Sequence, residues 1–291
     1  MTRPVLILLC GIPGSGKTTY AEKMKNSYTY HLSSDAIRKE LYGDENIQGN
    51  PSDVFALMQD RAIMLLNNGF DVIYDATNIT RKDRASIITK CPRFAQIECH
   101  IIWAPIETCI ERDAARERTV GKEVIDRMLK RFQAPYYDEG IDKIRVIFPD
   151  GFDMQKYIDD STEAMRIPHD NPHHTLDIYN HCESAYKYIV SNDMCDNIMA
   201  LAASFHDVGK PYVKAFVNAK GEPSDTAHFY QHQCVGAYMI YGLVADEIRI
   251  DVAWLVSTHM APFLNEKYYK NLPAYLKNSV DLLHEADLAA H

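Results

Sequence analysis

Residues 11–18 read Gly-Ile-Pro-Gly-Ser-Gly-Lys-Thr and directly follow the apolar run Val5–Cys10. A buried strand, a glycine-rich turn and a helix in this order give a phosphate-binding loop the context that it requires. Its N–H groups and the helix N-terminus would point at a polyphosphate, with Lys17 at the β- and γ-phosphates and Thr18 on Mg²⁺. A tight turn without a ligand would not need the Lys-Thr pair. The sequence therefore predicts an ATP and Mg²⁺ site formed by Gly11, Gly14, Ser15, Gly16, Lys17, Thr18 and Thr19.

The length of 291 residues predicts two domains, and we place the boundary near residue 150. Residues 1–150 hold 21 basic and 21 acidic residues, whereas residues 151–291 hold 10 and 19. Ten of the twelve histidines lie at or beyond position 169. An acidic, histidine-rich half is unsuited to long duplex nucleic acid, but bound divalent metals would offset its charge.

The first half alternates strand and helix patterns, which predicts an α/β domain over residues 1–150 with a mainly parallel sheet. Ligands of such a sheet bind at the carboxyl ends of its strands. The expected strands are Val5–Cys10, Tyr28–Leu32, Phe70–Asp75, Gln96–Trp103 and Ile144–Phe148. The expected helices are Lys17–Lys25, Asp35–Leu41, Val54–Asn68, Lys82–Thr89, Ile106–Ala115 and Lys122–Phe132.

Residues 151–291 lack strand patterns and predict an all-α domain, with residues 151–167 as a candidate linking helix. Two stretches, Pro168–Pro172 and Pro211–Asp225, resemble loops. The expected helices are Phe152–Ala164, Leu176–Val190, Asn197–Phe205, Phe229–Leu243, Ile248–Ser257 and Pro273–Ala290.

The cellular location expected from the sequence is cytoplasmic. No apolar run reaches the roughly 20 residues that span a bilayer, so no membrane partner is expected. The N-terminus enters a strand at once, which leaves no room for a signal peptide. The seven cysteines are an odd number without a CxxC pair, which indicates reduced thiols.

Two acidic residues follow predicted strands at the expected ligand edge. Asp35 could accept a proton from an attacking hydroxyl, and Arg38, one turn later, could bind a phosphate of the acceptor. Asp75 could orient Mg²⁺ or its waters, with Asn78 and Arg81 in the next loop. The alternative for each acid is a helix cap or turn residue.

Arginines near the end of the fifth predicted helix suit a lid over a transferring phosphoryl group. Arg112 and Arg116 are four residues apart and would share one helix face. A solvated charged helix is the alternative, and for Arg118 it is the favoured one.

Together these residues resemble the polynucleotide 5′-kinase family over residues 1–150. The shared features are the phosphate-binding loop, a Ser-Asp-x-x-Arg segment, an Asp-x-x-Asn strand end and an arginine-bearing lid. The resemblance implies that Asp35 is the general base, that Arg38 contacts the 3′-phosphate of the acceptor, and that Arg112 and Arg116 contact ATP. Lys17 would act on the transferring phosphoryl group.

The second half contains His206-Asp207-Val208-Gly209-Lys210 at the end of an apolar helical run. His181 lies on the preceding predicted helix, where His174 competes with it, and Asp287 lies on the last one. Such nitrogen and oxygen donors suit one or two divalent transition metals such as Mn²⁺, Ni²⁺, Co²⁺, Fe²⁺ or Zn²⁺. An exposed acid on the last helix is the alternative for Asp287.

This pattern is similar to that of the HD phosphohydrolase superfamily over residues of about 170–291. The resemblance implies a first metal on His181, His206, Asp207 and Asp287. His232, with His228 as its alternative, and His259 match ligands of a second metal, and core histidines are the competing interpretation. Asp207 and Lys210 would act in catalysis, with Lys210 on the scissile phosphate. The remaining histidines are expected on loops or the surface: His169, His173, His284 and His291.

The two resemblances imply a bifunctional enzyme that heals nucleic-acid ends, as in bacterial fusions of an HD domain with a polynucleotide kinase, with the order reversed here. It would phosphorylate a 5′-hydroxyl and remove a 2′,3′-cyclic or 3′-phosphate from short or single-stranded RNA or DNA ends, before a nucleic-acid ligase acts. One alternative is a small-molecule or nucleoside kinase fused to an HD nucleotidase. The other is an ATP-binding regulatory module with an inert HD scaffold.

Overall fold

The computed structural model describes residues 3–45, 47, 49–172, 175–191, 196–245 and 248–290. These residues form two compact units. The first contains the chain up to residue 125 together with residues 135–150, and the second contains residues 126–134 and the chain from residue 151. Within the described residues, no helix is both long enough and apolar enough to cross a membrane.

The first unit is built on a five-stranded sheet in the order β2-β3-β1-β4-β5, and every neighbouring pair is parallel. The predicted parallel sheet is confirmed. Its strands are β1 (Val5–Cys10), β2 (Thr29–Ser33), β3 (Asp71–Asp75), β4 (Gln96–Ile102) and β5 (Lys143–Ile147). The helices are α1 (Lys17–Met24), α2 (Ser34–Tyr42), α3 (Pro51–Asn67), α4 (Arg81–Ile88) and α5 (Ile106–Ala114), and a 3₁₀ turn covers Tyr137–Glu139. A sixth helix, α6 (Lys122–Leu129), begins in this unit, and its residues from 126 onward belong to the second.

The central strand β1 is buried on both faces, which explains its unbroken apolar run. Ile7 and Leu9 pack with Ala21 of α1, and Leu6 and Leu8 are fully buried as well. Asp75, the last residue of β3, is in register with Leu9 of β1 and with Ser33 of β2. The carboxyl ends of these three strands therefore meet at one edge of the sheet.

The second unit is mainly helical. Its helices are α7 (Met154–Ala164), α8 (Ile178–Val190), α9 (Asn197–Phe205), α10 (Lys210–Val213), α11 (His232–Leu243), α12 (Arg249–Thr258), α13 (Ala261–Leu264), α14 (Glu266–Lys270) and α15 (Ala274–Ala289). Every residue of α11 is buried, so this helix is the centre of the unit.

The second unit differs from the all-helical prediction by an antiparallel hairpin of β6 (Ala215–Val217) and β7 (Pro223–His228). The sequence assigns most of this segment to a loop because it is rich in turn residues. Here these residues build a tight turn: the Asn218 side chain accepts from the N–H groups of Lys220 and Glu222, and Gly221 has φ +80°. Turn chemistry between two short strands explains the difference.

Residues 126–134 also differ from the predicted domain limits, since they pack with the second unit. The buried ring of Phe132 lies edge-on to Tyr238 and Tyr241 of α11, with centroids 5.4 and 6.1 Å away. Aromatic packing of this kind anchors the segment to the helical core.

Candidate active site and metal centre

The loop between β1 and α1 has a backbone that favours glycine at three positions. Gly14 has φ +81°, and a Cβ there would lie 2.1 Å from the carbonyl oxygen of Cys109. A Cβ on Gly11 would lie 2.6 Å from the oxygen of Ile102. Gly16, with φ +103°, occupies the N-cap position of α1. The loop thus turns sharply into the helix N-terminus, where an anion binds favourably.

Two polar side chains of this loop fit a phosphate ligand. Lys17 Nζ donates to the main-chain oxygens of Gly11 at 2.9 Å and Ile12 at 3.0 Å. Burial lowers the pKa of Lys17, and the nearby Asp75 carboxylate partly opposes this shift. The Ser15 hydroxyl is buried and has no hydrogen-bond partner among the described residues. Such an unsatisfied group is the kind of donor that a bound phosphate would pair.

Thr18 and Asp75, the two residues predicted to bind or orient Mg²⁺, lie next to each other. Thr18 Oγ1 donates to Asp75 Oδ2 at 3.2 Å, and these hard oxygens suit Mg²⁺. Asp75 is buried at the end of β3. His31, which the sequence did not single out, lies between Asp75 Oδ2 at 3.0 Å and Glu22 Oε1 at 2.9 Å. Burial alone would lower the pKa of His31, but these two carboxylates raise it.

Asp35 lies just after β2, within the first turn of α2. The cap of α2 is Ser33, whose hydroxyl accepts from the Asp35 N–H at 3.2 Å, so the capping alternative for Asp35 is wrong. Its half-exposed carboxylate pairs with the Arg38 guanidinium and lies 3.6 Å from Arg118. The sequence favoured a plain solvated role for Arg118, and only the fold reveals this proximity.

Arg112 and Arg116 do not share one helix face as expected, because α5 ends at Ala114. The buried Asp113 carboxylate accepts from the N–H groups of Val120 at 3.0 Å and Gly121 at 2.9 Å, so the chain turns back. Arg112 is exposed on the last turn of α5, and Arg116 follows the helix end. Arg116 is nevertheless near the loop, since its charge adds to the burial that lowers the pKa of Lys17.

Asn78 and Arg81 have structural contacts. Asn78 is buried with φ +46°, and its amide donates to the main-chain oxygen of Leu9 at 2.8 Å. Arg81 pairs with both oxygens of Asp138 at 2.8 and 3.0 Å. These bonds hold the loop after β3 against the sheet and against the 3₁₀ turn. Thr19 is exposed in the first turn of α1.

In the second unit, the predicted metal ligands come together in one cluster. They form two groups whose candidate ligand atoms all lie within 4.8 Å of one another. The groups are His181, His206, Asp207 and Asp287, and Asp207, His232 and His259. Asp207 belongs to both: its Oδ2 lies 3.4 Å from His206 Nε2 and its Oδ1 lies 3.2 Å from His232 Nε2.

The imidazoles of this cluster present their Nε2 atoms to one another. Nε2 of His181 lies 3.2 Å from that of His206, and Nε2 of His232 lies 3.2 Å from that of His259. In three rings, Nδ1 contacts the main-chain oxygen three residues earlier. These contacts are His206 to Ala203 at 2.9 Å, His232 to Phe229 at 2.9 Å and His259 to Val256 at 2.8 Å. A carbonyl only accepts, so each of these Nδ1 atoms is the donor, and Nε2 is the nitrogen that faces the other candidate ligands.

The charges of the cluster fit a bound cation. Burial would raise the pKa of Asp207, but the charges of Lys210 and His206 hold it well below its usual range. Burial likewise opposes ionisation of Asp287, yet hydrogen bonds from His181 and His206 hold its pKa low. Burial, together with neighbouring imidazoles, lowers the pKa of His259 to about 3. Two carboxylates among imidazole nitrogens match the preferences of divalent transition metals.

Lys210 lies beside the cluster, with Nζ 2.6 Å from Asp207 Oδ2. His169, expected on a loop or the surface, lies in the loop between α7 and α8 but is buried, and its Nε2 lies 3.2 Å from Lys210 Nζ. Burial and then the Lys210 charge lower the pKa of His169 to about 4. His228 contacts Ser224 of its own hairpin at 3.1 Å and is not part of either ligand group. Three histidines for which predictions were made lie outside the described residues: His173, His174 and His291.

Comparison with known proteins bears on the first unit. Residues 6–135 match a family model described as an AAA domain. An L-seryl-tRNA(Sec) kinase of Methanococcus maripaludis is 31% identical over 147 residues, which cover 45% of this chain and 53% of that protein. The transcription factor bHLH140 of Arabidopsis thaliana is 23% identical over 155 residues, 51% of this chain and 16% of that protein.

Among solved structures, the similarity also covers only part of the chain. A chain of the Pnkp1/Rnl/Hen1 complex is 25% identical with a TM-score of 0.36, over 42% of this chain and 43% of its own length. The chain spans about half or less of the curated relatives that it matches.

Proposed function

We propose that this chain is a two-site enzyme that heals RNA ends. The P-loop unit would phosphorylate a 5′-hydroxyl with ATP, and the helical unit, as an HD phosphohydrolase domain, would remove a 2′,3′-cyclic or 3′-phosphate. The observation that carries the proposal is the pairing of two built sites in one chain. In one site, the Asp35 carboxylate lies beside Arg38 and Arg118 in the P-loop unit. In the other, six side chains that could bind metal ions are clustered.

In the first site, Asp35 would take the proton of the 5′-hydroxyl. The bond between the 5′-oxygen and the γ-phosphorus forms while the bond from that phosphorus to the β,γ-bridging oxygen breaks, and ADP leaves. Lys17, Arg112 and Arg116 would stabilise the charge of the transferring group. Thr18 and Asp75 would hold Mg²⁺, which neutralises phosphate charge when bound.

The arginines around Asp35 indicate an acceptor that carries its own phosphate. Arg38 pairs with Asp35 and Arg118 lies 3.6 Å from the same oxygen. Guanidinium groups next to the general base would bind the phosphate adjacent to the reacting hydroxyl, as in a nucleotide chain. The balanced charge of residues 1–150 fits short or single-stranded ends better than long duplex. A relative named as a seryl-tRNA kinase agrees with a hydroxyl carried by RNA.

In the second site, His181, His206, Asp207 and Asp287 would hold a first divalent metal. Asp207, His232 and His259 would hold a second. A bound divalent transition metal activates water and neutralises phosphate charge. Lys210 would contact the scissile phosphate. In each hydrolysis the phosphorus gains the oxygen of one water, one bond to a ribose oxygen breaks, and that oxygen takes a proton of the water. A 3′-phosphate is released by one such step, and a 2′,3′-cyclic phosphate needs two.

The test uses one short RNA with a 5′-hydroxyl and a 2′,3′-cyclic phosphate. It is incubated with ATP and Mg²⁺, with and without Mn²⁺ or Ni²⁺, and the products are weighed by mass spectrometry. We expect one phosphate gained at the 5′ end and the 3′ phosphate lost. Unchanged RNA beside a phosphorylated nucleoside control would instead establish a metabolic kinase, and inert RNA and nucleoside with slow ATP hydrolysis would establish a regulatory module. On this proposal the protein acts in the cytoplasm, and a nucleic-acid ligase consumes its product.

A further inference from the structure

His169 is a buried histidine for which the proposed reaction has no role. It lies between α7 and α8, and 1% of its surface is exposed. Its Nδ1 lies 2.9 Å from the main-chain oxygen of Leu176. Because a carbonyl oxygen only accepts hydrogen bonds, Nδ1 is the donor of this pair. The ring is therefore oriented by the backbone, and Nε2 points elsewhere.

Nε2 of His169 faces the ammonium group of Lys210, with 3.2 Å between Nε2 and Nζ. An ammonium has donors only, so His169 accepts this bond as the neutral tautomer with the proton on Nδ1. The same ammonium lies 2.6 Å from Asp207 Oδ2 and 5.3 Å from the centroid of the Phe229 ring. Lys210 is itself 6% exposed.

A lysine side chain has four rotatable bonds, so its ammonium needs neighbours to fix its position. Asp207 attracts the ammonium strongly, yet Asp207 also belongs to both groups of metal donors. A second hydrogen-bond acceptor on another side of Nζ keeps the ammonium from pairing with the Asp207 carboxylate alone. His169 provides this acceptor without adding a charge.

We propose that His169 is a positioning residue that accepts a hydrogen bond from Lys210 and holds its ammonium toward a phosphate bound at the metal-donor cluster. This inference rests on the proposed phosphohydrolase function. His169 acts through Lys210 and has no contact with the reacting phosphate in this proposal.

Two substitutions of His169 separate its two hydrogen bonds. His169→Asn places an amide N–H where Nδ1 stands and so retains the bond to Leu176, but it has no acceptor at the position of Nε2. His169→Gln reaches the position of Nε2 with its amide oxygen and retains an acceptor for Lys210. Both are compared with Lys210→Ala and with the double variant His169→Asn/Lys210→Ala.

Each full-length variant is loaded with Mn²⁺, and its metal content and melting temperature are measured. Binding of inorganic phosphate is then measured by calorimetry, and the turnover rate and KM are measured on an RNA with a 3′-phosphate. We expect His169→Asn to weaken phosphate binding and raise KM by about tenfold, as the loss of a fixed charged donor implies. Manganese content should stay unchanged, His169→Gln should recover most of the loss, and the double variant should match Lys210→Ala.

Unchanged phosphate affinity in His169→Asn, or a double variant whose loss is the product of the two single losses, would overturn the positioning role. An equal loss in the Asn and Gln variants would do the same, because it would indicate packing rather than an acceptor. If the wild-type protein binds Mn²⁺ but neither binds phosphate nor hydrolyses an RNA 3′-phosphate or 2′,3′-cyclic phosphate, the proposed phosphohydrolase function fails, and this inference fails with it. An active wild type with an unaffected Asn variant overturns this inference alone.

Discussion

The role of Asp35 becomes clearer once the structure shows which residue caps α2. Asp and Ser are both common helix caps, so the sequence leaves the role of Asp35 open. In the structure Ser33 is the cap, and the Asp35 carboxylate is left beside Arg38 and Arg118 at the edge of the sheet. The capping hydroxyl and the proposed base are thus two residues apart and can be tested separately.

Asp35→Asn should slow the kinase reaction by about a hundredfold or more, because an amide cannot take the proton of the attacking hydroxyl. The matched control is Ser33→Ala, which should cost about 1 kcal/mol of stability with the kinase rate nearly retained. Turnover of an RNA with a free 5′-hydroxyl and thermal melting check both variants. Equal rate losses in the two variants would assign Asp35 to the stability of α2 instead.

Asp207→Asn should reduce Mn²⁺ binding by at least about tenfold, because it removes a charged donor shared by both ligand groups. The control is Asp170→Asn, which alters a partly exposed pair with Lys214 in the same unit and should leave metal content unchanged. Metal content of the folded variants after dialysis checks this. A full metal complement in the Asp207 variant would contradict the assignment.

At the level of elements, the sequence predicted the strands and long helices that leave a hydrophobic pattern. It missed short helices and a helix end that depends on local side-chain hydrogen bonds. All five strands of the sheet appear within one or two residues of their predicted positions. The mostly buried strands β1, β3 and β4 leave the runs of apolar residues that locate them. The helices α10, α13 and α14 are five residues or shorter and leave no periodic signal. The early end of α5 depends on Asp113 bonding to the backbone of residues 120 and 121, which no pattern announces.

The metal donors show the same limit for the site. They come from α8, α11 and α15 and from the residues that end α9 and α12, so no sequence spacing brings them together. A family pattern, rather than the chain's own periodicity, identified them. His169, His31 and Arg118 belong to no such pattern, and their contacts became visible only in the fold.

Gly14→Ala tests the phosphate-binding loop as an element. A Cβ there meets the Cys109 carbonyl oxygen at 2.1 Å while φ is +81°, so we expect a loss of about 1–3 kcal/mol in stability and of measurable ATP binding. Gly69→Ala is matched, since φ is +84° and a Cβ has nothing within 4 Å. This control should cost about 1 kcal/mol and retain ATP binding. Melting curves and ATP titrations check the pair, and equal ATP affinities would refute the role of the loop.

At the level of the molecule, the structure holds two units, each with one of the proposed sites. The P-loop, Asp35 and Asp75 lie in the first, and all six metal donors lie in the second. Because hard oxygens bind Mg²⁺ and the imidazole cluster suits transition metals, the two reactions should have separate metal requirements.

Protein stripped by a chelator and returned to Mg²⁺ alone should phosphorylate 5′ ends but leave 3′ phosphates in place. Added Mn²⁺ or Ni²⁺ should restore the second reaction. In the same assay Asp35→Asn should lose only the kinase reaction and Asp207→Asn only the phosphatase reaction. Mass analysis of both RNA ends checks this, and a folded variant that has lost both reactions would contradict separate sites.

The main-chain contacts of His206, His232 and His259 bear on how this centre tolerates sequence change. The partner of each Nδ1 is a peptide oxygen three residues earlier, and every amino acid supplies that oxygen. Replacing Ala203 or Val256 with another residue of similar size therefore leaves the protonation pattern of the rings in place. The residues at positions 203, 229 and 256 can thus change during evolution while these hydrogen bonds are kept, provided that the helix geometry is conserved.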